Sequence, residues 1–379
     1  MIAHNKPEIT NDDQAAVQAV LQSGWVAEGP AVEALEAQFC TLNGGGEATA
    51  VSSGTAALFL ALHGLGVGAG QKVAVPTYAC SALLNAVKMA GAEPVPVDVR
   101  LDDFTLDADA LDNANADAAI AVHTFGASAN IAALQAHTPV VVEDCCQSLG
   151  GPQGKLGAAA IYSFYATKII TGGQGGLIWD ASGVVAERAR DYREFDCRET
   201  YEPRFNFQLT DIQAAMVSSQ FARLSAIRDR RRAIYTRYAD AASTLLAAGW
   251  GLQAGVNAPG HLPYRCVLVA PDEAARGALK TTMTNAEVRT IVPVERYELL
   301  HNYLGLSPDR FPNGERLART TLSVPLYPGL TDDEVDRVIA QRVHERRLPV
   351  IAVAVGEAAV KHRLHLDPRN LRERVRDRR

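Results

Sequence analysis

The sequence has little of what a zinc-binding, disulfide-linked or membrane-spanning protein needs. Its six cysteines among 379 residues form no CxxC pair and follow no regular spacing, so neither a zinc site nor a disulfide framework is indicated. The longest apolar run near the C-terminus, LPVIAVAVGEAAV, is too short to span a bilayer and contains Glu357. The first residues, MIAHNKPEIT, contain no signal-peptide apolar core. We therefore expect a cytoplasmic protein with reduced thiols, no metal and no membrane partner.

Aromatic residues are missing from the basic C-terminus, and this limits what the tail is expected to bind. The last nineteen residues hold eight lysines and arginines against three aspartates and glutamates. Such a run can bind nucleic acid or an acidic surface. Without aromatic side chains among the arginines, it lacks the stacking groups that single-strand recognition uses. A solvated terminal helix is therefore the favoured interpretation, and nucleic acid is not expected as a partner.

What the sequence does contain is an alternation of apolar strands and helices. The segments KVAVP, EPVPVDV, AAIAVHT and PVVVED read as buried strands, and helices such as AALFLALHGLG lie between strands. Continuous Val, Ile and Ala strands separated by helices are typical of a mostly parallel sheet covered on both faces. A first helix, DDQAAVQAVLQ, is expected to begin with Asn11 or Asp12 as its N-cap.

The predicted α/β fold has three parts. Residues 1–240 form a large domain with the parallel sheet, and residues 241–345 form a smaller α+β domain. An arginine-rich helix, RDRRRAIYTRYADAAS, is expected to connect the two. Residues 346–379 form a basic extension whose role the sequence does not indicate.

Two loops carry residues that point to chemistry. Ser52-Ser53-Gly54-Thr55 links a strand to a helix, so its amides and hydroxyls can hold a phosphate at the positive end of the helix. It has neither the GK[ST] of a nucleotide P-loop nor the spaced glycines of a dinucleotide fingerprint. In SFYATKIITGGQGG, Lys168 lies between an apolar run and four glycines. Taken singly, a plain helix cap and a solvated loop lysine explain these features as well.

Three further polar residues belong to the same pattern. Asp144 ends the strand PVVVED, where it can pair with a protonated pyridine nitrogen, and Gln147 follows on the next turn. Asn206 stands just ahead of an amphipathic helix. A capping aspartate and a turn asparagine are the alternative interpretations. Together, a phosphate loop, a carboxylate and an isolated lysine suggest pyridoxal phosphate, whose phosphate, ring nitrogen and aldehyde need these groups.

From about Gly24 to about Ile339, the chain resembles the sugar aminotransferase family called DegT/DnrJ/EryC1/StrS. The matching stretches follow the family's order: GWVAEGPAVEALEAQF, AVSSGTAALFLAL, VAVPTYACSALLNAVKMAGAEPVPVDV, VVVEDCCQSLGG, SFYATKIITGGQGG, FNFQLTDIQAAM and LSVPLYPGLTDDEV. The resemblance implies a pyridoxal-phosphate-dependent transferase of fold type I that works as a homodimer with shared active sites. The tail beyond Arg342 falls outside the resemblance.

The resemblance also implies a role for each candidate residue. Lys168 matches the lysine that forms a Schiff base with the cofactor, and Asp144 matches the partner of the pyridine nitrogen. Gln147 matches the glutamine beside the cofactor's phenolic oxygen. The glycines after Lys168 are expected to let the loop fold close to the cofactor. The phosphate contacts are matched by Gly54, Thr55 and Ser163, and by Asn206 from the other subunit.

Two stretches depart from the family's pattern. Where family members often carry an aromatic ring that stacks on the cofactor, PTYAC has Cys80, so either Cys80 packs on the ring or Tyr78 replaces the aromatic. TIVPVERYELLHNYLG differs from the family's usual histidine-containing segment and has Glu295 and Arg296. Because that segment tends to meet the substrate, the sequence does not specify the sugar.

The expected function is transfer of an amino group from an L-amino acid to a keto-sugar, with glutamate and a nucleotide-linked sugar favoured. Lys168 and Asp144 are the expected catalytic residues. A dehydratase of the same family is disfavoured, because that variant typically replaces the lysine with histidine. Two alternatives are left open: a cyclic keto-polyol such as an inosose as the acceptor, and a non-catalytic or regulatory protein that keeps the fold.

Overall fold

A sheet of seven strands forms the centre of the fold in the computed structural model, which describes residues 1–343. The order across the sheet is β1-β7-β6-β5-β4-β2-β3. The strands from β3 through β2, β4 and β5 to β6 pair in parallel, whereas β7 pairs antiparallel with both β1 and β6. The predicted mostly parallel α/β sheet is therefore confirmed. The strands are β1 (Glu47–Val51), β2 (Lys72–Pro76), β3 (Glu93–Val97), β4 (Ala118–Val122), β5 (Val140–Asp144), β6 (Ala159–Ser163) and β7 (Gly176–Asp180).

Helices pack against both faces of this sheet. Along β7, Leu177 and Trp179 lie in one apolar core and Ile178 lies in another, because successive side chains of a strand point to opposite faces. Within residues 1–343, every helix is too short or too polar to cross a lipid bilayer. The helices are α1 (Asn11–Ser23), α2 (Pro30–Asn43), α3 (Gly54–Gly64), α4 (Ala82–Met89), α5 (Ala108–Leu111), α6 (Ile131–Gln135), α7 (Val184–Tyr192), α8 (Asp211–Ala222) and α9 (Leu224–Ala241).

Helix α1 occurs where the sequence predicts it, but the predicted N-cap is wrong. Thr10 is the N-cap instead of Asn11 or Asp12. The side chain of Thr10 accepts from the amide of Asp13, and the amide of Thr10 donates to Oδ2 of Asp13 at 2.9 Å. This reciprocal pair satisfies two backbone amides at once, which a single capping side chain does not.

A second, antiparallel sheet of three strands follows α9. Its order is β10-β9-β8, and β9 pairs with both neighbours. The division of the chain near residue 240 stays a prediction, and the predicted extension of residues 346–379 lies outside the described residues. The remaining elements are α10 (Ser243–Ala247), β8 (Gly251–Leu252), β9 (Cys266–Val269), α11 (Glu273–Asn285), α12 (Leu300–Tyr303), α13 (Pro312–Thr320), β10 (Thr321–Val324) and α14 (Asp332–Val343).

The carboxyl ends of the parallel strands bring the predicted residues to one edge of the large sheet. Strand β2 ends just ahead of Tyr78 and Cys80, β5 ends at Asp144, and β6 ends at Ser163. Ligands of parallel α/β sheets bind beyond these carboxyl ends. The fold therefore places four candidate residues at the edge where a ligand is expected.

Candidate active site

A cavity of about 240 Å³ opens at the carboxyl edge of the large sheet. The structure brings the predicted lysine, carboxylate and glutamine into the wall of this one cavity. Five of the nine candidate residues line it, namely Tyr78, Cys80, Asp144, Gln147 and Lys168. The other four candidates, which the resemblance assigns to a phosphate, lie outside this lining and are Gly54, Thr55, Ser163 and Asn206.

Asp144 presents its carboxyl group to the loop that follows it and forms no ion pair within residues 1–343. Only 6% of the residue's surface is exposed. Its Oδ1 accepts a hydrogen bond of 2.9 Å from the amide of Cys146. The thiol of Cys146, a weak donor, is hydrogen-bonded to the same carboxyl group. A nearly buried carboxyl group without an ion-pair partner is suited to a cation in the cavity.

Gln147 is held in place by a residue that the sequence did not single out. Its Oε1 accepts a hydrogen bond of 2.9 Å from the amide of Phe125, which also lines the cavity. Phe125 has φ 54° and ψ 20°, a left-handed conformation that costs a phenylalanine roughly 1 kcal/mol or more. This strained residue fixes the orientation of the Gln147 amide, so the Nε2 donor is left for a ligand.

Lys168 lies on a loop whose backbone is fixed from two distant parts of the chain. The carbonyl of the preceding Thr167 accepts from Nδ2 of Asn5 at 3.0 Å and from the hydroxyl of Tyr264 at 3.1 Å. The Nζ of Lys168 stands 5.8 Å from the centre of the Tyr264 ring. Sequence reasoning missed Asn5 and Tyr264, since neither lies near Lys168 along the chain.

The surroundings of Lys168 favour its charged form. Burial acts to lower its pKa, but the nearby Tyr264, Cys146 and Asp144 outweigh burial, and the net pKa lies above the ordinary value of a lysine. Burial likewise acts to raise the pKa of Tyr264, but Lys168 and Arg265 outweigh it and lower that pKa. Lys168 is therefore an ammonium group at neutral pH.

The predicted phosphate loop lies at the start of α3, against the end of β6. Ser53 caps the helix by accepting from the amide of Ala56 at 3.1 Å. A Cβ added at Gly54 would stand 2.9 Å from Cβ of Ser163 and 3.3 Å from Sγ of Cys146. Because Cys146 also donates to Asp144, the helix terminus and the cavity are joined through this residue. The first-turn amides of α3 lack partners within the helix, which makes this end suited to an anion.

The glycines after Lys168 serve contacts within the protein. A Cβ added at Gly176 would collide with the carbonyl of Ser53, the residue that caps α3. A Cβ at Gly172 would stand 3.0 Å from the carbonyl oxygen of Gln213 in α8. Gly175 has φ 130°, and its carbonyl accepts from the amide of Phe164 at 2.8 Å. The loop thus folds close to the start of α3 and to α8, which refines the prediction that it folds close to the cofactor.

The two candidates for stacking on the cofactor ring differ in their surroundings. Tyr78 is 1% exposed, and its hydroxyl is hydrogen-bonded to Oγ1 of Thr321 at 2.8 Å. Its ring meets Phe104 edge-on at 6.0 Å between centroids. Cys80 is an exposed free cysteine in the cavity wall. This geometry favours Cys80 as the group that contacts a ligand, with Tyr78 as part of the supporting core.

Asn206 lies on a segment that contacts the phosphate loop of the same chain. The carbonyl of the next residue, Phe207, accepts a hydrogen bond of 2.7 Å from the amide of Ser52. The rings of Phe205 and Phe207 stack 5.1 Å apart. Asn206 between them is exposed, and its side chain makes no hydrogen bond within residues 1–343.

A buried pair behind the cavity escaped the sequence analysis. Nε2 of His123 lies 2.9 Å from Oε2 of Glu143, the residue just before Asp144. Glu143 also accepts from the amides of Gly154 and Gly157 at 2.9 and 2.6 Å. With Cys145, the pair has the spacing of a metal site, yet these amides already occupy both Glu143 oxygens. The cluster therefore fixes the loop after β5, and the prediction of no metal stays a prediction.

The segment TIVPVERYELLHNYLG, which departs from the family's pattern, lines the cavity with residues other than Glu295 and Arg296. The residues of this segment that line the cavity are Pro293, Val294, Glu298 and Tyr303. Arg296 instead donates to Oε2 of Glu315 at 2.7 Å, outside the cavity lining. The segment thus brings two apolar side chains, one phenol and one carboxyl group to a ligand site.

Residues 7–342 match the DegT/DnrJ/EryC1/StrS aminotransferase family. The chain belongs to this family. Its fold is also similar to that of DesV from S. venezuelae, with 30% identity, 89% of this chain and 95% of that chain covered, and a TM-score of 0.80. A PLP form of Spr1654 from Streptococcus pneumoniae is 24% identical, with 92% and 100% covered and a TM-score of 0.82. The sugar aminotransferase CalS13 from Micromonospora echinospora is 24% identical, with 90% and 99% covered and a TM-score of 0.78.

Family membership confirms the predicted family, fold and enzyme class, and pyridoxal phosphate as the family's cofactor. The residues of this chain fit that cofactor. Within residues 1–343, neither Nζ of Lys168 nor Nε2 of Gln147 has a hydrogen-bond partner, and the carboxyl group of Asp144 forms no ion pair. An amine, a carboxylate and an amide donor around one cavity are the groups that an aldehyde, a pyridine nitrogen and a phenolic oxygen require.

Proposed function

We propose that this aminotransferase moves the amino group of L-glutamate to a nucleotide-linked keto-sugar. The observation that carries the proposal is the convergence of Lys168, Asp144 and Gln147 on one cavity, each with a polar group suited to a ligand. The likeness in fold to the sugar aminotransferase CalS13 supports a sugar as the acceptor. The cavity lies where parallel α/β sheets bind their ligands.

In this proposal each candidate residue holds one part of pyridoxal phosphate. When bound, the cofactor supplies an aldehyde that combines with amines and a protonated ring that accepts electrons. Asp144 would keep the ring nitrogen protonated by ion pairing, and Gln147 would donate from Nε2 to the phenolic oxygen. The start of α3, with Gly54, Thr55 and Ser163, would bind the phosphate.

Lys168 has two proposed tasks. Its Nζ would hold the cofactor at the aldehyde carbon, and the amine of the donor would take its place there. Once released, Nζ would take the proton from the α-carbon of the amino acid and deliver it to the former aldehyde carbon, and it would run this transfer in reverse on the acceptor in the second half of the reaction. Because Lys168 is an ammonium group at neutral pH, it must lose a proton before it can serve either task. Its charge in the meantime attracts the anionic cofactor.

Two other functions are disfavoured by residues of this chain. A dehydratase of the same family typically has histidine at the position that Lys168 occupies. A non-catalytic protein would have no need of an amine, a carboxyl oxygen and an amide aimed at one cavity. The inosose alternative concerns only the acceptor, so an acceptor screen decides it.

The acceptor is tested with ¹⁵N-glutamate and a panel of keto compounds that includes nucleotide-linked 3-keto and 4-keto sugars and an inosose. We expect mass spectrometry to find ¹⁵N in the product of one nucleotide keto-sugar. If ¹⁵N appears in the inosamine and in none of the nucleotide sugars, the acceptor is the inosose and the nucleotide-linked sugar is ruled out. Formation of 2-oxoglutarate without any labelled product would contradict the acceptor class and leave the donor in place.

We propose further that the enzyme is a homodimer in which Asn206 serves the partner's phosphate site. Its exposed side chain without a hydrogen bond in the described chain supports this. The competing arrangement uses Asn206 within one chain, near Ser52, to which its neighbour Phe207 is bonded. The two arrangements make opposite predictions for hybrid dimers.

For this test, Lys168→Ala and Asn206→Asp chains, each inactive alone, are unfolded and refolded together. Asn206→Asp places a carboxylate beside the phosphate, where like charges repel. In a shared-site dimer, half of the random dimers are hybrids with one intact site, so activity returns to roughly a quarter of wild type. If each active site were built within a single chain, every site would contain one of the two substitutions. Activity no higher than in the separately refolded variants would contradict the shared site.

A further inference from the structure

A second, smaller cavity adjoins the candidate active site. Its volume is about 120 Å³, and it shares Thr167, Tyr264 and Arg265 with the first cavity. Its remaining wall comes from the N-terminal segment, α9 and the small sheet, and includes His4, Asn5, Arg231 and Ser323. Because Arg265 lines both cavities, its guanidinium lies at the place where a ligand beside Lys168 and a group in the second cavity would meet.

A fully buried arginine lines the second cavity and has no acidic partner. Arg231 is 2% exposed, and its Nη1 donates to the carbonyls of Tyr264 at 3.1 Å and Leu326 at 3.2 Å. Its buried Nε has no hydrogen-bond partner, and no carboxylate within residues 1–343 forms an ion pair with it. Burial lowers the pKa of Arg231 to about 10, so the group stays charged at neutral pH. A buried charge without a counter-charge is costly, which favours an anionic ligand beside it.

Arg265 stands where the two cavities meet, and it too lacks an acidic partner in the described chain. Its guanidinium lies 5.4 Å from the ring centres of both Phe125 and Tyr264. Its Nε is buried without a hydrogen-bond partner. Its Nη1 donates only to Nε2 of His4, at 3.5 Å. The two aromatic rings hold the planar guanidinium in one orientation, which leaves its other donors for a ligand.

The rest of the wall, within the described residues, is partly polar and partly aliphatic (Ile291, Val324 and Leu326), and none of it is acidic. Nε2 of His4 is hydrogen-bonded to Oγ of Ser323 at 2.9 Å. Burial, with Arg265 and Arg289 nearby, lowers the pKa of His4 to about 3, so the ring is neutral at physiological pH. No aspartate or glutamate is part of this wall. The positive charge of Arg231 and Arg265 is thus uncompensated within the described residues.

From this juxtaposition we propose that the second cavity binds the side-chain carboxylate of the amino-acid donor, through Arg265 with Arg231 behind it. The proposal rests on the proposed function, because it assumes that the donor amine lies beside Lys168. The volume of the second cavity, about 120 Å³, is well above the roughly 10–15 Å³ that a single water molecule needs, so a carboxylate fits. Arg265 is then a specificity residue that selects an acidic donor over a neutral one.

Binding is tested first, with ligands that cannot react. Glutarate carries two carboxylates and butyrate one, and neither has an amine. By calorimetry on the cofactor-loaded enzyme, we expect glutarate to bind at least about tenfold more tightly than butyrate. Arg265→Gln should remove this difference, and Arg265→Lys should restore part of it through its charge. Arg232→Gln is the matched control. Arg232 is half-buried on α9 next to Arg231, lines neither cavity, and within residues 1–343 donates only to the carbonyl of His261 at 3.1 Å.

The second readout compares two amino donors in the first half of the reaction. For glutamate, Arg265→Gln should raise the KM for formation of 2-oxoglutarate by about tenfold to a hundredfold, with a smaller change in kcat. For alanine, which has no side-chain carboxylate, KM for pyruvate formation should stay unchanged. An equal loss with both donors would place Arg265 at the α-carboxylate and overturn the proposal.

The outcomes separate this proposal from the proposed function. If glutarate binds no better than butyrate while the wild type forms 2-oxoglutarate normally, the second-cavity site is overturned and the proposed function stands. Tight glutarate binding that depends on Arg265, without 2-oxoglutarate formation, supports a carboxylate site but overturns its assignment to the donor. Circular dichroism and melting temperature confirm that each variant is folded.

Discussion

Replacing Lys168 with alanine is expected to lower turnover by about a thousandfold or more. No other amine of the described chain lines the cavity, so the variant has no group that can hold the aldehyde or move the proton. Lys168 is joined to the fold through backbone contacts such as its amide to the carbonyl of Tyr165 at 2.9 Å. The variant should therefore remain folded. Rates of 2-oxoglutarate formation, circular dichroism and melting temperature check both expectations.

A covalent label gives a second readout that does not depend on turnover. Borohydride should attach the cofactor permanently to Lys168 of the wild type, and peptide mapping should find it there. Lys155→Ala is a suitable control, since Lys155 is exposed and lies outside the cavity. A label on another lysine, or substantial turnover by Lys168→Ala, would contradict the assignment.

Replacing Asp144 with alanine is expected to cut the rate by about a hundredfold to a thousandfold, the range for loss of one electrostatic partner at a reacting centre. Without the carboxylate, the ring nitrogen loses the charge that keeps it protonated, and electron withdrawal weakens. Capture of the cofactor on Lys168 by borohydride should persist, because Lys168 is intact. Single-turnover rates with glutamate measure the effect.

Asp144→Asn separates the charge of Asp144 from its structural hydrogen bond. An asparagine keeps an oxygen that can accept from the amide of Cys146, as Oδ1 of Asp144 does at 2.9 Å. If the charge is what matters, the asparagine variant is as slow as the alanine variant but melts closer to the wild type. Near-normal turnover with asparagine would mean that the cofactor is oriented differently from this proposal.

Much of the large sheet follows from local sequence patterns. The segment KVAVP was predicted as a strand and is β2 (Lys72–Pro76) without a shift at either end. Parallel strands covered on both faces must be apolar throughout, so a short Val-rich run is a strong signal. Asp144 was recognised because it ends such a run, and the carboxyl ends of neighbouring strands necessarily meet at one edge.

The sequence could not reveal residues that reach the site from distant parts of the chain. Asn5 and Tyr264 both donate to the carbonyl of Thr167, and no local pattern records these contacts. The left-handed backbone conformation of Phe125 is unusual for an aromatic residue, so the residue type gives no reason to predict it. Arg265 stands out only after the fold shows that it lacks an acidic partner among the described residues. Such features depend on tertiary contacts, which periodicity does not encode.

The central claim is that this protein accepts an amino group from glutamate. The most direct measurement mixes the cofactor-loaded wild type with ¹⁵N-glutamate in the absence of any acceptor. We predict one equivalent of 2-oxoglutarate per subunit within a single burst, with the ¹⁵N retained on the cofactor. Lys168→Ala, treated in the same way, should give none. A wild-type enzyme that is folded and holds the cofactor, yet releases no 2-oxoglutarate, would contradict this account.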